Sequence, residues 1–234
     1  MDTEKNNWLP LESNFEVFNS TLNNLGFETS EYKFQEVFST EDWALAMVGT
    51  PVVGVLLCFG MGDHHKKANL PEATPKDQIA DDLFYMHQIS GNACGMVGLY
   101  HIVGNIDGTV TKKYLKEDSI LGKFMANAKG QSYEDLAKAF DGDKKLRDVH
   151  TASVHTGQTE VQAEVNNHFV AFVHKAGGLY ELDGRKKGPM HYGATTPETL
   201  LVDACAVIKK EYMDRDPENQ SFSIMALGGL TGLF

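Results

Sequence analysis

The stretch that decides the fold and chemistry of this chain is QISGNACGMVGLYH, residues 88–101. Its apolar, Gly-interrupted second half predicts a buried helix that runs through about Val103, with Asn92 as the N-cap. Cys94 then lies at the start of that helix, where unpaired N–H groups and the helix dipole favour the nucleophilic thiolate. Gln88, upstream of this cysteine, can donate its amide N–H to an oxygen that becomes negative during acyl transfer.

The alternative interpretation of Cys94 is a buried structural cysteine, because free cysteine usually behaves as a small hydrophobic residue. The other two cysteines fit that interpretation. Cys58 lies in VVGVLLCF (52–59), which is typical of a central strand, and Cys205 lies in TLLVDACAVI (199–208), which is typical of a helix. Since cysteine motifs do not transfer between families, Cys94 needs a partner base before it is assigned as a nucleophile.

A candidate base is found in NHFVAFVHKAGGLYELDG, residues 167–184, which predicts a β-hairpin with a turn at Ala176-Gly177. This register places Asp183 opposite Val170, on the face that also carries His168. The backbones of His168 and Asp183 are then about 7–8 Å apart, within side-chain reach. The carboxylate can hold one imidazole nitrogen and leave the other to take the thiol proton.

Each half of this pair also has a structural interpretation. His168 can simply begin a strand, and Asp183-Gly184 can simply form a turn. The coincidence of a thiol at a helix start, an upstream oxyanion donor and a His/Asp pair on one face favours the catalytic interpretation. His174 shares the face of His168 but is next to the turn, so we predict a structural or exposed role for it.

These segments resemble the signature blocks of the ubiquitin C-terminal hydrolases, papain-like thiol hydrolases that act on the C-terminus of ubiquitin. The resemblance extends over nearly the whole chain, and Met96, where the family has threonine, is a local departure. The matching segments are Gln88, NACG (92–95), NHF (167–169), ELDGRK (181–186), WLPLES (8–13) and FSIMAL (222–227). The resemblance implies that Gln88 is the oxyanion donor, Cys94 the nucleophile, His168 the general base and acid, and Asp183 the residue that orients His168.

Helices interrupted by strands, of which the clearest pair is a hairpin, predict an α/β (α+β) fold with a largely antiparallel central sheet flanked by helices. The resemblance implies a papain-like single catalytic domain over residues 1–234 and a knotted backbone. The polar segment from Asp148 to Asn166 predicts a loop bordering the site, because it leads into His168. In the family this region is a loop that crosses over the cleft.

The chain has 234 residues, is 42% hydrophobic and carries a formal charge of −11, which argues against nucleic acid as a partner. It has no apolar run long enough to span a membrane, and its N-terminus lacks the features of a signal peptide. Three cysteines without framework spacing predict a reducing compartment: the cytoplasm, with the nucleus left open. We also expect a monomer that requires no cofactor and no metal. The pair His64-His65 could bind a metal ion, but no further ligand at suitable spacing supports such a site.

The partner implied by the resemblance is ubiquitin, with ubiquitin-like modifiers left open. A competing hypothesis is a module that only sequesters free ubiquitin, and a weaker one is a general papain-like protease. The presence of all four catalytic side chains disfavours an inactive relative.

Overall fold

The computed structural model describes residues 8–62, 73–158 and 166–231. Six strands form one antiparallel sheet in the order β1-β6-β2-β3-β4-β5. They are β1 (Tyr32–Glu36), β2 (Thr50–Gly60), β3 (Asn167–Lys175), β4 (Gly178–Leu182), β5 (Met190–Ala194) and β6 (Phe222–Thr231). Helices flank this sheet, so the predicted fold class is confirmed.

The helices differ in length, and none of those in the described ranges is long and apolar enough to cross a membrane. They are α1 (Phe15–Leu25), α2 (Asp42–Leu45), α3 (Cys94–Val103), α4 (Gly108–Tyr114), α5 (Ile120–Ala128), α6 (Tyr133–Gly142), α7 (Lys144–Val154) and α8 (Leu200–Ile208). A π-helical turn, Lys209–Met213, follows α8, and a 3-10 turn spans Lys76–Gln78.

The sheet separates two hydrophobic cores, and β2 contributes to both. Leu56 and Cys58 belong to the core that contains α1 and α3, whereas Val55 and Leu57 belong to the core that contains α8. Because both faces of β2 are covered, its sequence is continuously apolar instead of alternating. This explains why residues 52–59 were recognisable as a central strand.

The helix that begins at Cys94 lies against β2. All ten residues of α3 are buried, which agrees with its apolar character all round. A Cβ atom added to Gly98 would lie 2.7 Å from Leu56 Cδ1, so glycine permits this close approach. The tight packing fixes the position of the thiol relative to the sheet.

The hairpin of β3 and β4 has the predicted register. Ala171 pairs with Leu182 and Lys175 pairs with Gly178, so the turn consists of Ala176 and Gly177. Both turn residues have positive φ, 48° for Ala176 and 81° for Gly177. This is the backbone of a type I′ turn, whose twist matches that of the flanking strands.

Replacing Ala176 by Asn should raise the free energy of unfolding by about 1 kcal/mol, because alanine is strained at positive φ and asparagine tolerates it. Urea denaturation would measure the change. Gly177→Ala is the matched control and should lower stability at the neighbouring position. An Ala176→Asn variant that is no more stable than the parent would contradict the strain argument.

The structure differs from the sequence interpretation at several places. The segment predicted as a loop from Asp148 onwards is helical in α7 as far as Val154, and residues 159–165 lie outside the described ranges. Asp107-Gly108, a dipeptide typical of turns, instead begins α4, because the Asp107 carboxylate accepts the Thr109 backbone N–H at 2.8 Å and caps the helix. Strand β5 was not predicted. The pair His64-His65 lies outside the described residues.

Candidate active site

Cys94 is the first residue of α3 and is only 6% exposed. The predicted N-cap was wrong: Asn92 has φ +61°, and Ala93 precedes the helix without a side-chain cap. Asparagine is among the residues that best tolerate the left-handed region, so Asn92 supports a sharp turn into the helix. Because the capping position is an alanine, residue 93 offers no side-chain oxygen to the first N–H groups of the helix.

His168 and Asp183 form the pair that the hairpin register predicted. His168 Nε2 lies 2.7 Å from Asp183 Oδ1, and both side chains are buried. The same carboxylate oxygen accepts the Arg185 backbone N–H at 2.9 Å. Because Asp183 holds Nε2–H, the other ring nitrogen, Nδ1, is the one left to exchange a proton with the thiol.

The charges of Cys94 and His168 are coupled. Burial alone would raise the pKa of the Cys94 thiol, but the nearby His168 imidazolium, with the Phe169 backbone, lowers it below its ordinary value. Burial would lower the pKa of His168, but Asp183 and the Cys94 thiolate raise it to about 9. At neutral pH this arrangement favours a thiolate beside an imidazolium.

The pKa of Asp183 responds to the same partners. Burial would raise it, but the charge and hydrogen bond of His168 and the Arg185 N–H lower it. Asp183 therefore remains a carboxylate at neutral pH. Its negative charge stabilises the imidazolium, which is the role of the orienting acid in a catalytic triad.

Gln88 lies beside the Asp183 turn. Its backbone N–H donates to the backbone carbonyl oxygen of Gly184 at 2.8 Å, and its side-chain Nε2 donates to the backbone carbonyl oxygen of Ser90 at 2.9 Å. A Cβ atom added to Gly184 would lie 2.9 Å from Gln88 Cβ, so only glycine permits this approach. The side-chain amide retains a second N–H, which is the donor that an oxyanion requires.

The remaining candidates have structural roles. Cys58 and Cys205 are buried, and burial raises the pKa of each thiol to about 12. His174 is half-buried, and its Nε2 accepts the Gly177 N–H at 3.1 Å in the hairpin turn. Cys94 therefore differs from Cys58 and Cys205 in its lowered pKa. His168 differs from His174 in its pairing with a buried carboxylate.

Residues 8–214 match the family model of the ubiquitin carboxyl-terminal hydrolases, family 1. The chain belongs to this family. It is 34% identical to ubiquitin carboxyl-terminal hydrolase 3 of Arabidopsis thaliana, over 96% of this chain and 95% of that protein. It is 36% identical to a ubiquitin carboxyl-terminal hydrolase of Drosophila melanogaster, over 94% and 96% of the two chains.

The human ubiquitin carboxyl-terminal hydrolase isozyme L1 is 33% identical over 93% of this chain and 96% of its own. The fold is that of a family member from Trichinella spiralis. The crystal structure of the UCH37 catalytic domain bound to ubiquitin vinyl methyl ester superposes with a TM-score of 0.76 at 20% identity, covering 95% of this chain and 96% of that one. That similarity supports the assigned architecture.

In this ubiquitin carboxyl-terminal hydrolase, the sequence did not reveal the role of Tyr85 beside the site. Tyr85 is fully buried, and its hydroxyl lies 2.8 Å from the backbone carbonyl oxygen of Asp183 and 2.9 Å from that of Lys186, so it closes the turn that carries Asp183. The only sequence signal for this turn was the Asp-Gly dipeptide. Within the described residues, no group of three or more His, Cys, Asp or Glu side chains is placed to hold a metal ion.

Proposed function

We propose that this chain is a deubiquitinating thiol hydrolase that releases small adducts or peptides from the C-terminal glycine of ubiquitin. The observation that carries the proposal is the buried Cys94 thiol, whose pKa is lowered by His168, in a member of this hydrolase family. Relatives bear the name of this activity, and a related catalytic domain is bound to a ubiquitin derivative. Ubiquitin-like modifiers are further candidate substrates.

The proposed reaction proceeds through an acyl-enzyme. The Cys94 thiolate attacks the carbonyl carbon of the terminal glycine, and the Gln88 amide and the Cys94 backbone N–H stabilise the resulting oxyanion. His168 donates its proton to the leaving amine or thiol as the tetrahedral intermediate collapses to a thioester. It then removes a proton from water, which hydrolyses the thioester and releases ubiquitin. These residues need no metal or cofactor for either step.

Incubation with ubiquitin that carries a fluorogenic C-terminal amide tests this proposal. We expect steady turnover after an initial burst when deacylation is slower than acylation. Tight binding without fluorescence release would instead support a ubiquitin-sequestering module. Hydrolysis of an unrelated fluorogenic peptide at a comparable rate would support a general protease.

We also propose that the enzyme acts as a monomer in the cytoplasm or the nucleus. Its three cysteines are all free, which suits a reducing compartment. The formal charge of −11 would favour encounter with the basic tail of ubiquitin, whose arginines precede the terminal glycines. Association with ubiquitin should therefore slow as ionic strength rises.

The pH dependence of kcat/KM should be bell-shaped. The active form pairs the Cys94 thiolate with the His168 imidazolium, so activity falls on the alkaline side as His168, with a pKa of about 9, loses its proton. On the acid side activity falls as the thiolate is protonated, below the ordinary pKa of cysteine. Asp183→Asn removes the charge that raises the pKa of His168, so the alkaline limb should move to lower pH. Movement to higher pH would contradict the assignment.

The size of the leaving group should limit the reaction. The resemblance implies a loop over the cleft in the segment from Asp148 to Asn166, and residues 159–165 of that segment lie outside the described residues. Support comes from its position, since it leads directly into His168 at the start of β3. We propose on this basis that a folded leaving group is excluded, so di-ubiquitin should be cleaved poorly compared with a small amide.

Inserting Gly/Ser residues between Thr159 and Glu160 should widen the passage and raise the ratio of di-ubiquitin to small-amide cleavage at least about tenfold. The cost in stability should be small, because loop-closure entropy grows slowly with length. This site avoids Gln158, whose backbone N–H donates to Glu12 at 2.8 Å. An insertion of equal length in the exposed loop at Gly130 is the control and should leave the ratio unchanged. Fast di-ubiquitin cleavage by the parent enzyme would exclude a size filter.

A further inference from the structure

Asp141, near the C-terminal end of α6, contacts the loop that joins Gln88 to Cys94. Its Oδ1 atom accepts a hydrogen bond from the Ser90 hydroxyl and a second one from Trp8 Nε1 at 3.0 Å. The Ser90 backbone oxygen in turn accepts the Gln88 side-chain N–H at 2.9 Å. A continuous chain of hydrogen bonds therefore leads from Asp141 through Ser90 to the amide of Gln88.

The Ser90 carbonyl determines how the Gln88 amide is oriented. A carbonyl oxygen accepts hydrogen bonds and cannot donate them, so it selects the NH2 group of the amide and rejects its oxygen. With one N–H held by Ser90, the second N–H points in a fixed direction in the amide plane. Gln88 Oε1 is left buried without a partner among the described residues. A side chain free to rotate would not retain that unfavourable arrangement.

Part of the loop between Gln88 and Cys94 is exposed to solvent. Ile89 is 57% exposed, and a Cβ atom added to Gly91 would meet nothing within 4 Å. Asn92 is in the left-handed region. Asp141 therefore supplies a contact between this exposed loop and the body of the protein.

The other partner of Asp141 is held firmly. Trp8 is buried, stacks on Phe140 with ring centroids 5.0 Å apart, and packs edge-on against His150 at 4.7 Å. His150 Nε2 lies 2.7 Å from the Leu9 oxygen. The indole N–H consequently holds the same Asp141 carboxylate oxygen that accepts the Ser90 hydroxyl.

We propose that Asp141 is a positioning residue for the oxyanion donor: through Ser90 it orients the side-chain amide of Gln88. This inference rests on the proposed function, in which Gln88 stabilises the oxyanion. Asp141 would then do for Gln88 what Asp183 does for His168. Asp141 would act only through Ser90 and Gln88.

Ser90→Ala removes the hydroxyl that Asp141 holds but retains the backbone carbonyl. We expect kcat on fluorogenic ubiquitin amide to fall about tenfold, less than the 10²–10³-fold typical of deleting an oxyanion donor, with KM within about twofold. Asp141→Ala should behave similarly. Asp141→Asn should recover most of the activity, because the introduced amide still offers an oxygen to Ser90 and Trp8.

Two readouts separate positioning from general structural damage. Alkylation of Cys94 by iodoacetamide forms an S–C bond and expels iodide without any oxyanion, so Ser90→Ala should leave its rate unchanged. In a Gln88→Ala background, Ser90→Ala should produce no further loss of kcat. Ser132→Ala is the matched control, because it removes a Ser–Asp hydrogen bond of 2.8 Å at the other end of α6. It should lower the melting temperature and leave kcat unchanged.

The inference is overturned if Ser90→Ala retains full kcat, if alkylation slows in parallel with kcat, or if the losses from Gln88→Ala and Ser90→Ala are additive. Failure of the proposed function would look different. In that case the parent enzyme would not hydrolyse the ubiquitin amide, or Gln88→Ala would itself have no effect. The Gln88→Ala and parent measurements therefore distinguish the two failures.

Discussion

Cys94→Ala should reduce hydrolysis of ubiquitin amides by at least about 10⁴-fold, because no other group can form the acyl-enzyme. The affinity for ubiquitin should stay within about tenfold of the parent, since binding energy is spread over a whole interface. The alanine side chain fills nearly the same space at a helix start, so the fold should be preserved. Turnover and binding, measured on the same preparation, check both expectations.

The other two cysteines supply matched controls for this substitution. Cys58→Ala and Cys205→Ala remove buried thiols whose pKa is about 12, so they should lower stability and retain activity. A ubiquitin with a C-terminal electrophile should modify Cys94 alone, as shown by peptide mapping. Modification of Cys58 or Cys205, or turnover that survives Cys94→Ala, would reject the nucleophile assignment.

His168→Ala should lower kcat/KM by at least about 10³-fold, because it removes both the general base and the partner that lowers the pKa of Cys94. His174→Ala is the matched control on the same strand. The His174 side chain accepts the Gly177 N–H in the hairpin turn, so its loss should affect stability more than rate. Equal damage from the two substitutions would show that the general base was chosen wrongly.

Asp183→Asn should have a smaller effect, about 10²-fold, for a reason that the structure supplies. The Arg185 backbone N–H donates to the same oxygen that binds His168, at 2.9 Å. The Arg185 N–H is a donor and can pair only with an acceptor. The amide introduced by Asp183→Asn would therefore keep its oxygen towards the Arg185 N–H and His168, which preserves the tautomer. The loss then comes from the missing negative charge. Asp183→Ala, which loses both charge and tautomer control, should be more damaging than Asp183→Asn.

The sequence alone determined much of the catalytic arrangement, because the signals were local. The turn at Ala176-Gly177 fixed the register of β3 and β4, and a period of two placed His168 and Asp183 on one face. The continuous apolar character of residues 52–59 and 94–103 predicted a strand buried on two faces and a buried helix. These elements hold the nucleophile and its base.

Helix α7 shows why other local predictions failed. Its buried positions are Leu146, His150, Ser153 and Val154, which have helical spacing but include two polar side chains. The two polar side chains interrupt the apolar pattern that would have predicted a helix, and only the tertiary environment explains why they are buried. His150 is buried because its ring packs on Trp8 and bonds to the Leu9 oxygen. Strand β5 is similar, since its half-exposed residues form a strand only by pairing with β4.

Tertiary structure alone decided what orients the catalytic groups. The contact of Trp8 with Asp141 joins residues 133 positions apart, and that of Tyr85 with Asp183 joins residues 98 apart. Neither contact leaves a periodic or turn signal, because each depends on how separate elements pack. The pKa shifts of Cys94 and His168 likewise arise from burial and proximity in the folded chain. Residue types and spacing therefore identified the reacting groups, whereas packing set their orientation and charge.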